Sequence, residues 1–245
     1  RHHARSVQGW PLHECDVRTF EYGQIRSKVS VVSGGPPCQP FSLGGKHKGY
    51  RDERDMFPEA VRAVRELRPR AFIFENVKGL LRQSFASYFE YVFLQLTRPD
   101  LVRRKGETWQ DHRARLEQHH TSTRTRAAYN VVYRLLNAAD YGVPQRRERV
   151  FIVGFRSDLG IEWSFPEATH SDDALLRAQW VTGEYWERHE VTRARRPEPS
   201  PRQAARIPRL LSRGLFDEQN AAQPWITVRD AIADLPDPEK SREKV

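Results

Sequence analysis

One stretch decides the fold class of this chain: Val29-Ser30-Val31-Val32-Ser33-Gly34-Gly35-Pro36-Pro37-Cys38-Gln39-Pro40-Phe41-Ser42. Its apolar start, residues 29–32, is typical of a buried strand. Two glycines then permit unusual backbone angles, and three prolines fix φ and remove N–H groups around a single thiol. A stiff loop after a strand presents its side chains at the carboxyl edge of a sheet, where α/β proteins bind ligands. A free cysteine is more often a small buried side chain, so residues downstream must decide whether Cys38 is reactive.

Strands and helices alternate after this loop. Apolar residues recur at helical spacing over residues 56–67 and 85–96, with Asp55 as a candidate cap for the first helix. Strand-like runs are residues 71–74, which end at Glu75-Asn76-Val77, and residues 130–136 and 149–155. This alternation predicts an α/β fold with a largely parallel sheet and flanking helices.

Two segments lack a clear apolar pattern. Residues 98–126 carry eight Arg or Lys against four Asp or Glu, which predicts an exposed insertion with a solvated surface. Residues 193–209 contain four prolines and many arginines, which is typical of a linker. A short helix is predicted to begin near Trp225 and to end before Pro236.

The composition bounds the class of protein. At 245 residues, with 38% hydrophobic and 30% charged residues, the chain can bury one substantial core. No apolar run approaches the ~18 residues of a membrane span, and no signal-like stretch follows the basic start. The two cysteines, Cys15 and Cys38, indicate neither a four-thiolate zinc site nor a disulfide framework. We therefore expect a cytoplasmic protein without a metal or membrane contact, and its net charge of +9 favours a polyanionic partner.

Polar groups follow or flank the predicted strands: Cys38, Glu75 and the arginines of the segment 145–149. All could converge at one rim of the sheet. A glutamate directly after Phe-Ile-Phe is expected to be partly desolvated, which favours its protonated form and makes it a candidate proton donor. Each residue taken alone also has an ordinary structural explanation.

Together these motifs resemble the DNA (cytosine-5) methyltransferases of the bacterial type. The resemblance covers residues 13–170 and continues more faintly to Pro236. Its most specific motifs, in chain order, are Gly-Gly-Pro-Pro-Cys-Gln-Pro-Phe-Ser, Glu-Asn-Val-Lys and Gln-Arg-Arg-Glu-Arg-Val. It implies a Rossmann-like class I methyltransferase sheet, incomplete at both ends, with mainly parallel strands and flanking helices.

The resemblance implies a reaction in which a thiolate adds to carbon 6 of cytosine and so activates carbon 5 for methylation. Cys38 matches the nucleophile of the family, Glu75 the glutamate that protonates ring N3, and Arg149 the residue that holds the base O2. The target cytosine must be flipped out of double-stranded DNA. The further substrate-binding positions implied are Pro36, Gln39, Ser42, Asn76, Gln145 and Arg147.

The resemblance also implies S-adenosylmethionine as the methyl donor. Asp16 matches the acidic residue that binds the adenine amine, with Val17 beside it. Pro37 and Met56 match positions that pack near the cofactor.

Parts of the family pattern are missing from the sequence. Neither the opening glycine-rich strand and loop nor the target recognition region is found. We therefore expect residues 1–170 to be a partial catalytic domain, with the basic insertion near 98–126, and residues 171–245 to be a helical, Pro/Arg-rich connector. The chain is expected to be a fragment of a monomeric enzyme, or else one subunit of a split enzyme, and a restriction-modification context is implied.

Three other functions stay open at this point. The chain could be a basic DNA-binding remnant without catalysis, or a tRNA cytosine-5 methyltransferase that uses the same chemistry. A thiol hydrolase ranks last, because no histidine stands in a recognisable partner motif.

Overall fold

The computed structural model describes residues 12–25, 27–37, 55–121, 128–212 and 222–236. The chain forms two compact units, of which the first comprises Arg1–Arg134 and Val150–Trp163 and the second Leu135–Arg149 and Ser164–Val245. Among the described residues, no helix has the length and apolar character needed to cross a membrane.

The main sheet has the strand order β1-β2-β4-β3. Its strands are β1 (Val31–Gly34), β2 (Ala71–Val77), β3 (Tyr129–Asn137) and β4 (Glu148–Arg156). β1 and β2 pair in parallel, with Val31 opposite Ala71. Arg156 N, at the end of β4, donates a hydrogen bond to Arg70 O, just before β2, so β4 runs antiparallel to β2. The sheet is thus mixed, with β4 as an antiparallel strand, and the predicted Rossmann-like α/β class with mostly parallel strands and flanking helices is confirmed.

Helix α1 (Phe57–Leu67) connects β1 to β2, as in a βαβ crossover. It buries one apolar face and carries Pro58 in its first turn, where a missing N–H costs nothing. The Asp55 carboxylate accepts a hydrogen bond from Phe57 N at 3.1 Å, although the cap position itself is Met56. The helix ends at Arg68, whose left-handed backbone (φ 45°) lets its N–H bond to Val64 O. Asp55 therefore helps to start the helix, as its sequence position predicts.

The core of the first unit lies between the sheet and helix α2 (Ala86–Thr97). Phe72 and Phe74 of β2 stack with ring centroids 5.2 Å apart. A Cβ at Gly154 of β4 would lie 2.2 Å from the Phe72 ring, so only glycine fits there. The residues that α2 buries are Tyr88, Phe89, Tyr91, Val92, Leu94, Leu96 and Thr97.

Two sequence predictions about this unit were wrong in part. β1 is not a buried strand, because it stands at the end of the described sheet and Val31 is 53% exposed. The segment 98–126 is not merely an exposed insertion, since it contains helix α3 (Trp109–Thr121). Leu116 of α3 packs against Tyr91 and Leu94 of α2, and one buried leucine per helix is too narrow an apolar stripe to be recognised from sequence.

The second unit is built from short helices and a small sheet. The helices are α4 (Asp172–Trp180), α5 (Glu184–Arg188), α6 (Pro201–Ala204), α7 (Ile207–Ser212) and α8 (Val228–Ile232). Strand β5 (His170–Ser171) pairs in parallel with β6 (Gln223–Pro224). The predicted linker is folded, because Arg206 forms ion pairs with Asp172 and Asp173. The functional boundary expected near residue 170 stays a prediction.

Candidate active site

The side-chain amide of Asn76 holds the start of the loop after β1 against β2. Asn76 is 3% exposed, and its Nδ2 donates a hydrogen bond to Pro36 O at 3.1 Å. Its Oδ1 accepts a hydrogen bond from Val77 N at 2.8 Å, which fixes the orientation of the amide. The backbone of the proline loop is thereby held two residues before Cys38.

The sequence had predicted that Glu75 directly follows the second strand, but Glu75 lies within β2. Successive side chains of a strand point to opposite faces. Asn76 therefore shares the buried face with Phe72 and Phe74, while Glu75 points to the other face and is half-buried. A Cβ at Gly35 would lie 3.4 Å from Glu75 Oε2. The Glu75 carboxylate therefore lies directly against the start of the proline loop at Gly35.

Several predicted site residues lie outside the described residues. These are Cys38, Gln39 and Ser42. Their roles stay predictions, whereas Pro36 (half-buried) and Pro37 (exposed) are placed at the end of the described loop. The structure therefore brings together the loop, Glu75 and Asn76 within the first unit.

The second unit holds Gln145, Arg147 and Arg149. Gln145 and Arg147 are exposed, and Arg149 is half-buried near the start of β4. Arg147 N donates a hydrogen bond to Asn137 Oδ1 at 3.1 Å, and Ala138 N donates one to Arg147 O at 3.0 Å. These bonds tie the segment that carries the arginines to the end of β3.

Arg146 also holds this segment in place, and the sequence did not indicate its contacts. The guanidinium of Arg146 lies 4.6 Å from the centroid of the Trp225 ring and donates to Asp172 at 3.1 Å. Trp225 Nε1 in turn donates to Asp140 Oδ1 at 2.9 Å. Arg146 lies before β4 and outside any strand, so strand alternation gave no signal for this contact. No pattern in the sequence identified Trp225 as its partner.

Asp16 is exposed and caps the short turn Val17–Thr19. Its carboxylate accepts hydrogen bonds from the backbone and the guanidinium of Arg18, and the guanidinium lowers the pKa of Asp16 to about 2. An ionised carboxylate is a pure acceptor and so matches the donor character of an adenine amine. Val17 is 39% exposed beside it, which leaves apolar surface for a ring to contact. The chemistry of these two residues therefore fits the predicted cofactor role.

Met56, the remaining residue predicted to contact the cofactor, lies in the first unit. Met56 is half-buried immediately before α1. Among the described residues, no group of three or more His, Cys, Asp or Glu side chains could hold a metal ion.

Most of the chain matches a known protein family. The model described as C-5 cytosine-specific DNA methylase matches residues 7–98 and 108–225. The match therefore includes the described candidate residues of each unit and omits residues 99–107.

Similar proteins include bacterial methyltransferases. Type II methyltransferase M.AquIA of Picosynechococcus sp. is 42% identical over 151 residues, which are 61% of this chain and 52% of that protein. Type II methyltransferase M.NgoMIV of Neisseria gonorrhoeae is 35% identical over 158 residues, which are 64% of this chain and 41% of that protein. The chain thus spans about half or less of the length of these relatives. The solved structure of the Entamoeba histolytica methyltransferase EhMeth matches with 15% identity and a TM-score of 0.40, over 70% of this chain and 46% of that one.

Proposed function

Because this chain belongs to the C-5 cytosine-specific DNA methylase family, we propose that it forms part of an enzyme that methylates carbon 5 of cytosine in DNA. One observation carries the proposal: the loop that leads to Cys38 is bonded to Asn76 and lies against the carboxylate of Glu75. β1, which leads to the proposed nucleophile, pairs in parallel with β2, which carries the proposed proton donor, and this pairing supports the assignment. The named relatives are type II methyltransferases, which supports a restriction-modification context.

The reaction needs a nucleophile because carbon 5 of cytosine is too electron-poor to attack a methyl group. The Cys38 thiolate forms a bond to carbon 6, and the electron pair of the C5–C6 double bond moves toward carbon 5. S-adenosylmethionine, when bound, supplies an electrophilic methyl group. After carbon 5 has taken the methyl group, water accepts the carbon-5 proton. The electron pair left behind restores the C5–C6 double bond and expels the thiolate, and ring N3 returns its proton to Glu75.

The other residues of the proposed site handle the charge on the ring. Glu75 donates a proton to ring N3 as the thiolate adds, so that negative charge does not accumulate on the base. Arg149 donates hydrogen bonds to the base O2, supported by Gln145 and Arg147. Asn76 holds the loop backbone through Pro36 O. Pro36, Gln39 and Ser42 complete the contact with a cytosine flipped out of double-stranded DNA.

The cofactor is proposed to contact Asp16, Val17, Pro37 and Met56. The Asp16 carboxylate accepts the adenine amine, and the three apolar side chains contact the rest of the molecule. We further propose residues 1–170 as the catalytic portion and residues 171–245 as a connector.

A covalent trap tests the proposal with a matched control. The intact protein that contains this chain is incubated with S-adenosylmethionine and a duplex containing 5-fluorocytosine, in which fluorine replaces the carbon-5 proton and cannot be eliminated. We expect a protein–DNA adduct that survives denaturation and that requires Cys38. Cys38→Ser abolishes the adduct, whereas Cys15→Ser, a change at an exposed free cysteine, leaves it intact.

The outcomes separate the alternatives. The proposal is contradicted if the unchanged protein forms no adduct. It is also contradicted if Cys38→Ser and Cys15→Ser lose the adduct equally. DNA binding without any adduct supports a non-catalytic remnant. Methylation of purified tRNA but not of RNase-treated DNA supports the RNA enzyme.

A further inference from the structure

The segment that carries Asp16 and Val17 has little burial of its own. Its two short turns, Val17–Thr19 and Tyr22–Gln24, contain no buried residue. The Phe20 ring contacts the rings of His13 and Tyr22 edge to face, with centroids 5.2 and 5.1 Å away. These contacts organise the segment internally, so its attachment to the rest of the unit must come from another element.

Arg62 of α1 provides that attachment. Its Nη2 donates a hydrogen bond to Val17 O at 2.5 Å, and its Nη1 donates one to Phe20 O at 3.0 Å. The same guanidinium lies 4.8 Å from the centroid of the Tyr22 ring. One side chain therefore contacts both short turns of the segment.

The guanidinium is itself held in place. Arg62 Nε donates to Glu59 Oε2 at 2.6 Å, one turn earlier on the helix, and Glu66 Oε2 lies 3.6 Å from Nη1. The Arg62 side chain is only 19% exposed, so these bonds are largely shielded from water. The planar fork of an arginine can serve two carbonyls and a carboxylate at once, which a lysine ammonium cannot reproduce in fixed geometry.

We propose that Arg62 is a positioning residue for the methyl donor, which sets cofactor affinity by holding residues 16–22 on α1. The inference rests on the proposed function of Asp16 and Val17. Arg62 bonds the carbonyl of Val17 and makes no hydrogen bond to the Asp16 carboxylate, whose partner is Arg18. Loss of Arg62 thus leaves the chemistry of Asp16 unchanged and alters only its placement.

The test compares Arg62→Lys and Arg62→Met with Arg65→Met in the intact protein. Arg65 lies on the same helix and pairs with Glu66 at 3.6 Å, so its replacement removes a similar charge away from the segment. Cofactor affinity is measured by calorimetry with S-adenosylmethionine, and the KM values for cofactor and for DNA are measured separately.

We expect both Arg62 variants to weaken cofactor binding by about ten-fold or more, because hydrogen bonds to a charged group are lost. The KM for DNA stays within about two-fold, and Arg65→Met resembles the unchanged protein. Weak cofactor binding by Arg62→Lys shows that the affinity depends on the planar geometry of the guanidinium rather than on its charge. Hydrogen exchange should accelerate over residues 12–25 in Arg62→Met and not in Arg65→Met.

Three results overturn the inference. The first is cofactor affinity within about two-fold of the unchanged protein in both Arg62 variants. The second is a parallel rise of both KM values with a loss of global stability, which assigns Arg62 to the fold alone. The third is an unchanged protein that does not bind S-adenosylmethionine, and this result refutes the proposed function as well, whereas the first two leave it standing.

Discussion

Two peripheral segments of the first unit, residues 12–25 and residues 99–121, are attached in opposite ways. Residues 12–25 fall within the match to the methylase family, yet their short turns bury no side chain and are held by the polar contacts of Arg62. Residues 99–107 fall outside that match, and helix α3, which lies within it, buries Leu116 and His112, each 1% exposed. Residues 12–25, which carry the proposed cofactor contacts, are thus the less buried of the two segments.

This difference shows that burial and function are separate demands on a chain. Buried apolar contacts stabilise an insertion whether or not it touches a substrate. A segment that must contact a ligand keeps its polar groups accessible and relies on a few directed bonds. The comparison therefore predicts different sensitivities to mutation in the two segments.

The largest effect is expected from Leu116→Ala. The change removes buried methyl groups from the contact between α3 and α2 and should lower the free energy of unfolding by about 2–5 kcal/mol. Urea denaturation measures the loss. Val102→Ala is the matched control in the same segment, because Val102 is 51% exposed and its truncation should cost less than about 0.5 kcal/mol. Equal losses in the two variants would mean that α3 is not packed as described.

An intermediate effect on stability is expected from protonation of His112 at acidic pH. His112 Nε2 lies 2.7 Å from Leu101 O and must carry a proton to donate to it, so Nδ1 accepts from Tyr91 Oη at 2.8 Å. Burial lowers the pKa of His112 below its ordinary value of 6.5. The folded state therefore favours the neutral ring, and the unfolded state binds more protons as the pH falls below 6.5.

The stability that His112 contributes is thus complete above pH 6.5 and decreases toward the lowered pKa. Urea midpoints measured from pH 7 to pH 5 should fall more steeply for the unchanged protein than for His112→Gln, which cannot titrate. Parallel pH profiles would show that the ring is not buried in its neutral form. Asp16 and Glu107, with pKa values of about 2, do not titrate in this range.

The smallest effect is expected from Tyr22→Leu in residues 12–25. The substitution removes a cation–π contact with Arg62, which is worth about 0.5–1 kcal/mol at a partly exposed site. Hydrogen exchange should accelerate slightly over this segment, while the urea midpoint of the whole protein stays unchanged. Tyr22→Phe keeps the ring and should behave as the unchanged protein. A fall in global stability with leucine would contradict the view that the segment is held only locally.

The regular elements could be predicted closely from sequence. The strands expected at 130–136 and 149–155 are Tyr129–Asn137 and Glu148–Arg156, and the helix expected at 85–96 is Ala86–Thr97. Their apolar patterns are strong because each element packs one face on a shared core. Helix α3 could not be predicted, because its burial depends on partners in α2 that are distant in sequence.

The candidate site was predicted unevenly for the same reason. Motifs of adjacent residues drew attention to Glu75, Asn76 and Arg149, and all three lie within strands, the first two in β2 and Arg149 in β4. The contact of Asn76 with Pro36 and that of Arg62 with Val17 join residues 40 and 45 positions apart. Long-range pairs of this kind leave no local pattern, because either partner alone resembles an ordinary polar side chain.

The sequence by itself determined the α/β class, the family and the residue types of the proposed reaction, because these follow from local periodicity and from motifs of neighbouring residues. Only the tertiary structure decided how the pieces are held. It placed Glu75 against Gly35, packed α3 on α2 and bonded the Arg62 guanidinium to residues 12–25. Such contacts are chosen by the folded backbone, which brings distant donors and acceptors within about 3 Å of each other and excludes water from between them.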